Sequence, residues 1–146
     1  DNAEFFIAKD ISIQSHVRPY HFISDKKWIH YIVSQILNNS SKYTEKNGEM
    51  TISGQEDEWG YHLYLKDNGI GIPKEELVRV FDKGFTGSNG RSSTKSTGMG
   101  MYYAKKMADT LGLGLKVQSE QGVYTEFVLS FYKLSDYMQH SLAKVT

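Results

Sequence analysis

The sequence predicts an α+β fold: a two-layer sandwich of one mixed, largely antiparallel sheet with helices on one face. Apolar residues recur at helical spacing in two places, from Trp28 to Leu37 and from Met101 to Leu111. Five other segments read as strands, with period-two alternation clearest in residues 10–15 and 62–65. Four of those strands fall into adjacent pairs joined by short polar turns, and the helices do not alternate strictly with them, which argues against a doubly wound parallel sheet. At 146 residues, a single domain over 1–146 is the natural count.

Taken in order, residues 4–8 form a short apolar segment. Over 10–15, Ile11 and Ile13 fall on one side and Ser12 and Gln14 on the other, which predicts a half-buried strand. Residues 17–23 are a mixed linker holding Pro19, with Ser24 or Asp25 as the N-cap candidate of the first long helix. Trp28, Ile29, Ile32, Val33, Ile36 and Leu37 then make the apolar stripe of that helix, which runs to about residue 43. Asn39 and Lys42 stand three apart near its C-terminal end and so share a face. Asn47-Gly48 signals a turn. Residues 49–55 and 61–66 read as antiparallel strands with Trp59-Gly60 at or near their turn, and the second runs straight into Asp67. Pro73 fits the first turn of a short helix over 74–80. Residues 88–97 hold no apolar residue and predict a mobile loop. A helix from Gly98 to about Leu111 turns Met101, Ala104, Met107, Ala108 and Leu111 inward and is bounded by Gly112 and Gly114. Residues 115–119 and 124–131 close as a hairpin around Gln121-Gly122, and the tail from Lys133 is polar.

Composition narrows the function classes. Hydrophobic residues make up 39%, enough for a real core. A formal net charge of +0 gives no general attraction for nucleic acid or anionic membrane. No apolar run approaches the ~20 residues that a spanning helix needs. The absence of cysteine excludes disulfides, thiolate metal sites and a Cys nucleophile. His16, His21, His30, His62 and His140 are scattered with no pair at zinc-ligand spacing, so structural roles are the default for all five. No Gly-x-x-x-x-Gly-Lys-Ser/Thr loop is present. The chain begins without Met, and Asp1-Asn2-Ala3 is a candidate cloning remnant, which suggests an excised domain of a longer parent.

Three stretches carry chemistry. In Thr97-Gly98-Met99-Gly100-Met101, the glycines open a helix and let backbone N–H groups approach an anion without a Cβ in the way. Asp67-Asn68-Gly69-Ile70-Gly71-Ile72 offers a carboxylate that accepts from an exocyclic amine such as that of adenine, and Gly69 and Gly71 let the backbone turn beneath a flat ring. Ile70, Ile72 and Phe81 are candidate apolar walls; the alternative is an Asx turn with a glycine hinge. Asn39-Ser40-Ser41-Lys42-Tyr43 supplies an amide oxygen for Mg²⁺ and an ammonium for phosphate, against the alternative of ordinary polar residues in a last helical turn. Gln35 is a weaker candidate for the same face. Lys83, Arg91 and Lys95 are candidates to close over a triphosphate, against the alternative of solvated surface charge. Thr125 sits in a strand, where a β-former is expected in any case. Together these groups predict a nucleotide pocket.

The set resembles the ATP-binding catalytic domain of bacterial sensor histidine kinases, in the superfamily of gyrase, heat-shock chaperone and mismatch-repair ATPases. Residues 39–43 resemble its asparagine box, 67–72 its first glycine box, 81–87 its phenylalanine box, 97–101 its second glycine box, and Gly122-Val123-Tyr124-Thr125 its final Gly-x-x-Thr element. The resemblance covers about residues 20–132 and implies a Bergerat-type fold with residues 88–97 as an ATP lid. It implies that Asp67 takes the adenine amine, with Thr125 helping through water and Tyr43 near the ring. It also implies that Asn39 binds Mg²⁺, Lys42 the phosphates, and that Gly98 and Gly100 present backbone donors. Ser40 stands where the family usually has Ala, and Gln35 where some members carry Asn, which argues against a second amide ligand. The family's phosphoacceptor histidine lies on a separate dimerisation helix, so the fragment is expected to bind ATP and Mg²⁺ without phosphorylating itself. The implied parent is a homodimeric membrane protein with this domain in the cytoplasm, a response regulator downstream and no nucleic-acid partner. Residues 81–90 with Asp25-Lys26-Lys27-Trp28 are similar to kinases of Gram-positive bacteria that respond to envelope stress and antimicrobial peptides. A regulatory nucleotide-binding module without transfer activity, a protein-serine kinase and an ATPase chaperone of the same superfamily are the alternatives.

Overall fold

Helix α1, Lys26–Tyr43, forms on the stripe that the spacing predicts. In the computed structural model, which describes residues 12–16, 26–44, 48–86 and 98–133, Ile32 and Ile36 are fully buried, with Ile29, Val33 and Leu37 partly so. Full burial, as at Ile32 and Ile36, contributes roughly 1.5–3 kcal/mol per side chain. The stripe continues for one more turn as Ser40 and Ser41, both buried. The apolar middle of α1 therefore anchors a C-terminal end whose inward face is polar. Trp28, at the first turn, is only half-buried, and Lys27 Nζ stands 5.6 Å from its ring centroid.

Five strands form one sheet: β1 (Ser12–His16), β2 (Glu49–Glu56), β3 (Gly60–Asp67), β4 (Gly114–Glu120) and β5 (Tyr124–Tyr132), in the spatial order β1-β2-β3-β5-β4. β1 pairs parallel to β2, and every other pairing is antiparallel. Cross-strand partners share a face, so the register sorts the inner face into rows. Ile52, Leu65, Phe127 and Val117 make one row, and Leu63, Leu129 and Leu115 belong to the next. These rows pack in one core with Ile32, Ile36, Ala104 and Ala108 of the helices. The opposite face carries Thr51, Ser53, His62, Tyr64, Lys66, Glu126 and Lys116, the polar composition of a sheet with one solvated side. The last inner row breaks the apolar series: Met50, Asp67, Thr125 and Ser119 stand side by side across four strands.

The β2–β3 turn is built by Asp57, whose Oδ1 accepts from Trp59 N at 2.8 Å and Gly60 N at 3.0 Å. Helix α2 spans only Lys74–Leu77, shorter than the 74–80 expected from sequence. Beyond Leu77 the backbone tightens: Arg79 N donates to Glu76 O and Asp82 N to Arg79 O. Over this stretch Val80 enters the core and Val78 stays 85% exposed. Helix α3 spans Gly100–Leu111 and begins two residues later than expected, because Gly98 holds φ +71° and cannot join a right-handed helix. Ala104 and Ala108 are fully buried, and Gly112 ends the helix in the left-handed region as its position predicts. Residues 4–8, Ile11, Ser24, Asp25, Asn47 and the tail beyond Lys133 lie outside the described residues.

Candidate functional site

The C-terminal half of α1 touches both halves of the predicted pocket. Asp67, at the end of β3, is 2% exposed, and its Oδ1 accepts from Gly69 N at 2.9 Å. Burial pushes its carboxyl above the ordinary value of 3.8, against the Gly69 hydrogen bond and the Ser40 hydroxyl, which both favour ionisation. That hydroxyl is itself buried and makes no hydrogen bond of full geometry. A ligand that donates to the carboxylate would offset this desolvation.

The loop after Asp67 is held on two sides. Ile70 N donates to Tyr43 O at 3.1 Å, and Gly122 N donates to Ile70 O at 2.7 Å. A Cβ at Gly69 would lie 2.3 Å from Tyr43 O, and one at Gly71, which has φ +72°, would lie 2.3 Å from Glu120 O. The sequence assigns these glycines to flexibility under a ring; the structure adds that both sit where backbones approach too closely for a side chain. Ile72 N donates to Ser119 Oγ at 2.7 Å. Ile72 and Phe81 are partly buried against the core, and the Phe81 ring meets Phe127 edge-on at 6.3 Å. Thr125, 5% exposed, is the direct cross-strand partner of Asp67.

The glycines preceding α3 form the second half. Gly98 O accepts from Gly84 N at 3.1 Å, so the chain departs after Thr86 and returns beside its own point of departure. A Cβ at Gly98 would lie 2.4 Å from Gly84 C. Met99 caps α3 without a side-chain hydrogen bond, Gly100 is the first helical residue, and Met101 packs partly against the core. A helix start of this kind offers backbone donors and a positive dipole end. The Gln35 side chain lies directly over Gly100, with Oε1 2.3 Å from where a Cβ would stand. Asn39, half-buried, stands one turn after Gln35 on α1, and Lys42, exposed, lies three residues further along. Tyr43 OH donates to Thr86 O at 3.2 Å. Lys83 is exposed. Among the described residues no three His, Cys, Asp or Glu side chains gather as a metal site.

The structure therefore joins Asp67, Gly69, Thr125 and Tyr43 in one cluster, ties Gly98 to Gly84, and sets Gly100 against α1. Arg91, Lys95 and Thr97, with the whole of 88–97, lie outside the described residues. Sequence reasoning passes over Ser119, notes Ser40 only as a departure from the family's Ala, and keeps Gln35 as a weaker candidate while arguing against its serving as a second amide ligand. Only Gln35 carries a signal, its place one turn before Asn39. Ser119 becomes visible only through the register of β4 against β5.

Comparison with known proteins agrees with this fold. The pattern of the family described as histidine kinase-, DNA gyrase B-, and HSP90-like ATPase matches residues 24–135. The sensor protein BceS of Bacillus subtilis is 37% identical over 131 residues, covering 90% of this chain and 39% of that protein. The sensor histidine kinase GraS of Staphylococcus epidermidis is 37% identical over 123 residues, covering 84% of this chain and 35% of that protein. The chain thus spans about two fifths or less of these relatives. In fold it is similar to a mycobacterial sensor histidine kinase, MprB, with a TM-score of 0.79 at 24% identity over 89% of each chain.

Proposed function

The chain belongs to the histidine kinase-, DNA gyrase B- and HSP90-like ATPase family, and from that premise we propose that it is the catalytic domain of a sensor histidine kinase. In this reading residues 1–146 are a single ATP-binding domain, and 88–97 close over the bound nucleotide. The observation that carries the proposal is the buried Asp67–Thr125 pair at the sheet end, backed by α1. A carboxylate kept from water, with one oxygen already bonded to Gly69 N, is suited to a donor presented edge-on by a flat ring. Ile72 and Phe81 offer that ring apolar walls. Kinship to BceS and GraS supports the histidine-kinase branch over the chaperone and serine-kinase alternatives, while a parent of the envelope-stress type in Gram-positive bacteria rests on the likeness of residues 81–90 and Asp25-Lys26-Lys27-Trp28.

Magnesium and the triphosphate supply charge neutralisation and the transferable group. The residues fit them: the N-terminus of α3 with Gly98 and Gly100 offers backbone donors, Asn39 an amide oxygen, and Lys42 a positive charge. A cation here needs oxygens from the nucleotide as well, since the described residues gather no acidic cluster. Lys83, Arg91 and Lys95 are assigned to the phosphates from the loop side. The chain's contribution to transfer is positioning and electrostatic stabilisation, as phosphoryl chemistry requires. The bond from the γ-phosphorus to the β-bridging oxygen breaks, a bond from phosphorus to an imidazole nitrogen forms, the imidazole proton leaves, and ADP departs.

The acceptor imidazole belongs to a dimerisation domain of the same protein, a response regulator receives the phosphate next, and the domain lies on the cytoplasmic side of a membrane-anchored homodimer. No helix among the described residues is long and apolar enough to cross a membrane. The test supplies the parent's histidine-bearing helical segment with ATP and magnesium. Acid-labile, base-stable phosphate on that segment, and none on the chain alone, is expected. Acid-stable phosphoserine, or no transfer despite nucleotide binding, would contradict the proposal.

A further inference from the structure

The polar row Asp67–Thr125–Ser119 holds a hydrogen-bond count that fixes more than position. Ser119 Oγ donates to Tyr124 O at 2.6 Å, accepts from Ile72 N at 2.7 Å, and stands 3.0 Å from Thr125 Oγ1. A serine hydroxyl has one proton and two lone pairs. Its proton is committed to a carbonyl that can only accept, so the third contact must be donated by Thr125. Thr125 Oγ1 then has spent its own proton inward and keeps only lone pairs on its other side. Its cross-strand neighbour there is Asp67, an acceptor when ionised.

We infer that Ser119 is a specificity-determining positioning residue: by taking the Thr125 proton it makes the Asp67–Thr125 edge acceptor-only. Such an edge receives a purine that presents an amine, directly or through a water donating to Thr125. It turns away a purine with a carbonyl at the same ring position, because two acceptors face each other. This rests on the proposed purine site and adds to it the residue that sets which purine enters. Buried polar groups left facing a like partner are the strongest basis for discrimination between similar ligands.

The test compares ADP with IDP, whose base carries a carbonyl beside an N1–H where adenine carries an amine beside a bare N1, by calorimetric titration with magnesium. In wild type ADP binds and IDP binds more weakly. Ser119→Ala frees the Thr125 proton to face the ligand, so the ratio of IDP to ADP dissociation constants is expected to fall on the order of tenfold, the scale of one hydrogen bond. Thr125→Val should lower the ratio too, Thr125→Ser should keep it, and Ser119→Ala should change nothing further in the Thr125→Val background. An unchanged ratio in Ser119→Ala, or an equal further fall on the Val background, overturns the inference. The wild-type chain gives a second reading that needs no variant. A Thr125 hydroxyl proton donated to Ser119 exchanges slowly and shows a cross-peak to the Ser119 β-protons by NMR, and rapid exchange with solvent would overturn the assignment. Failure of the purine-site reading appears separately, as absence of ADP binding by the wild type.

Discussion

Asp67 shows how a single side chain is set against the stability of the fold it serves. Its folded-state pKa is raised by burial above the ordinary 3.8. Its contribution to stability is therefore full below about 3.8 and is lost as pH rises through the folded value, so at neutral pH the ionised carboxylate works against the ligand-free fold. Asp67→Asn keeps an acceptor for Gly69 N and removes the charge. In thermal scans at pH 7 without nucleotide it is expected to melt no lower than wild type, with any advantage shrinking as pH falls through the folded pKa and gone below about 3.8. A clearly lower melting point at pH 7 would contradict this account of the site. The carboxylate is legible in the sequence because it ends an alternating strand and is succeeded by Gly69 and Gly71. Ser119 is not, because its partners Ile72, Tyr124 and Thr125 are set by strand register and loop approach, which no local pattern records.

At the scale of elements, the ends rather than the middles of helices and strands carry the site. The apolar spacing predicts helix α1 almost to the residue, whereas it places the start of α3 two residues early. Periodicity sees the stripe of Met101, Ala104 and Ala108 but not the left-handed φ of Gly98. The same applies to α2, where Pro73 marks a start and the helix stops at Leu77, before the buried Val80. Gly71→Ala places a methyl group against Glu120 O in a left-handed conformation. A loss of roughly 1–3 kcal/mol in urea unfolding is expected, together with weaker nucleotide binding; an unchanged denaturation midpoint would contradict the close approach. The β2–β3 turn offers a second test. Partial desolvation acts upward on Asp57, but hydrogen bonds from His62, Trp59 N and Gly60 N hold its carboxyl below 3.8. His62 links it onward, with Nε2 2.9 Å from Asp57 Oδ2 and Nδ1 2.6 Å from Ser130 Oγ. A depressed folded value gives stability above about 3.8 that is lost as pH falls through the folded pKa. Asp57→Ala should therefore lower the melting temperature at pH 6 by more than at pH 3, and an equal deficit at both would contradict the clasp.

For the molecule as a whole, the sheet divides labour between its faces and its ends. The inner face buries Leu65, Phe127, Leu129 and Leu115 under α1 and α3, and the outer face stays polar. Among the described residues, the inner row of Met50, Asp67, Thr125 and Ser119 lies where α1 turns polar at Ser40 and Ser41, so the candidate site occurs where the core runs out. That coincidence explains how the fold and the candidate site are both legible in the sequence: the same apolar spacing that builds the layers marks, by its interruption, where polar residues are kept. The parallel pairing of β1 with β2 is not legible, because alternation in residues 10–15 defines a buried face but no direction. In the proposed function the buried Asp67 edge and the glycine-bounded start of α3 form one magnesium-nucleotide site. Calorimetric titration of ADP with magnesium into wild type and Asp67→Asn tests it most directly. Saturable one-site binding to wild type is predicted, weakened about 10- to 100-fold in Asp67→Asn, the scale of one charge-assisted hydrogen bond; equal affinity in the two proteins, or none in wild type, would contradict it.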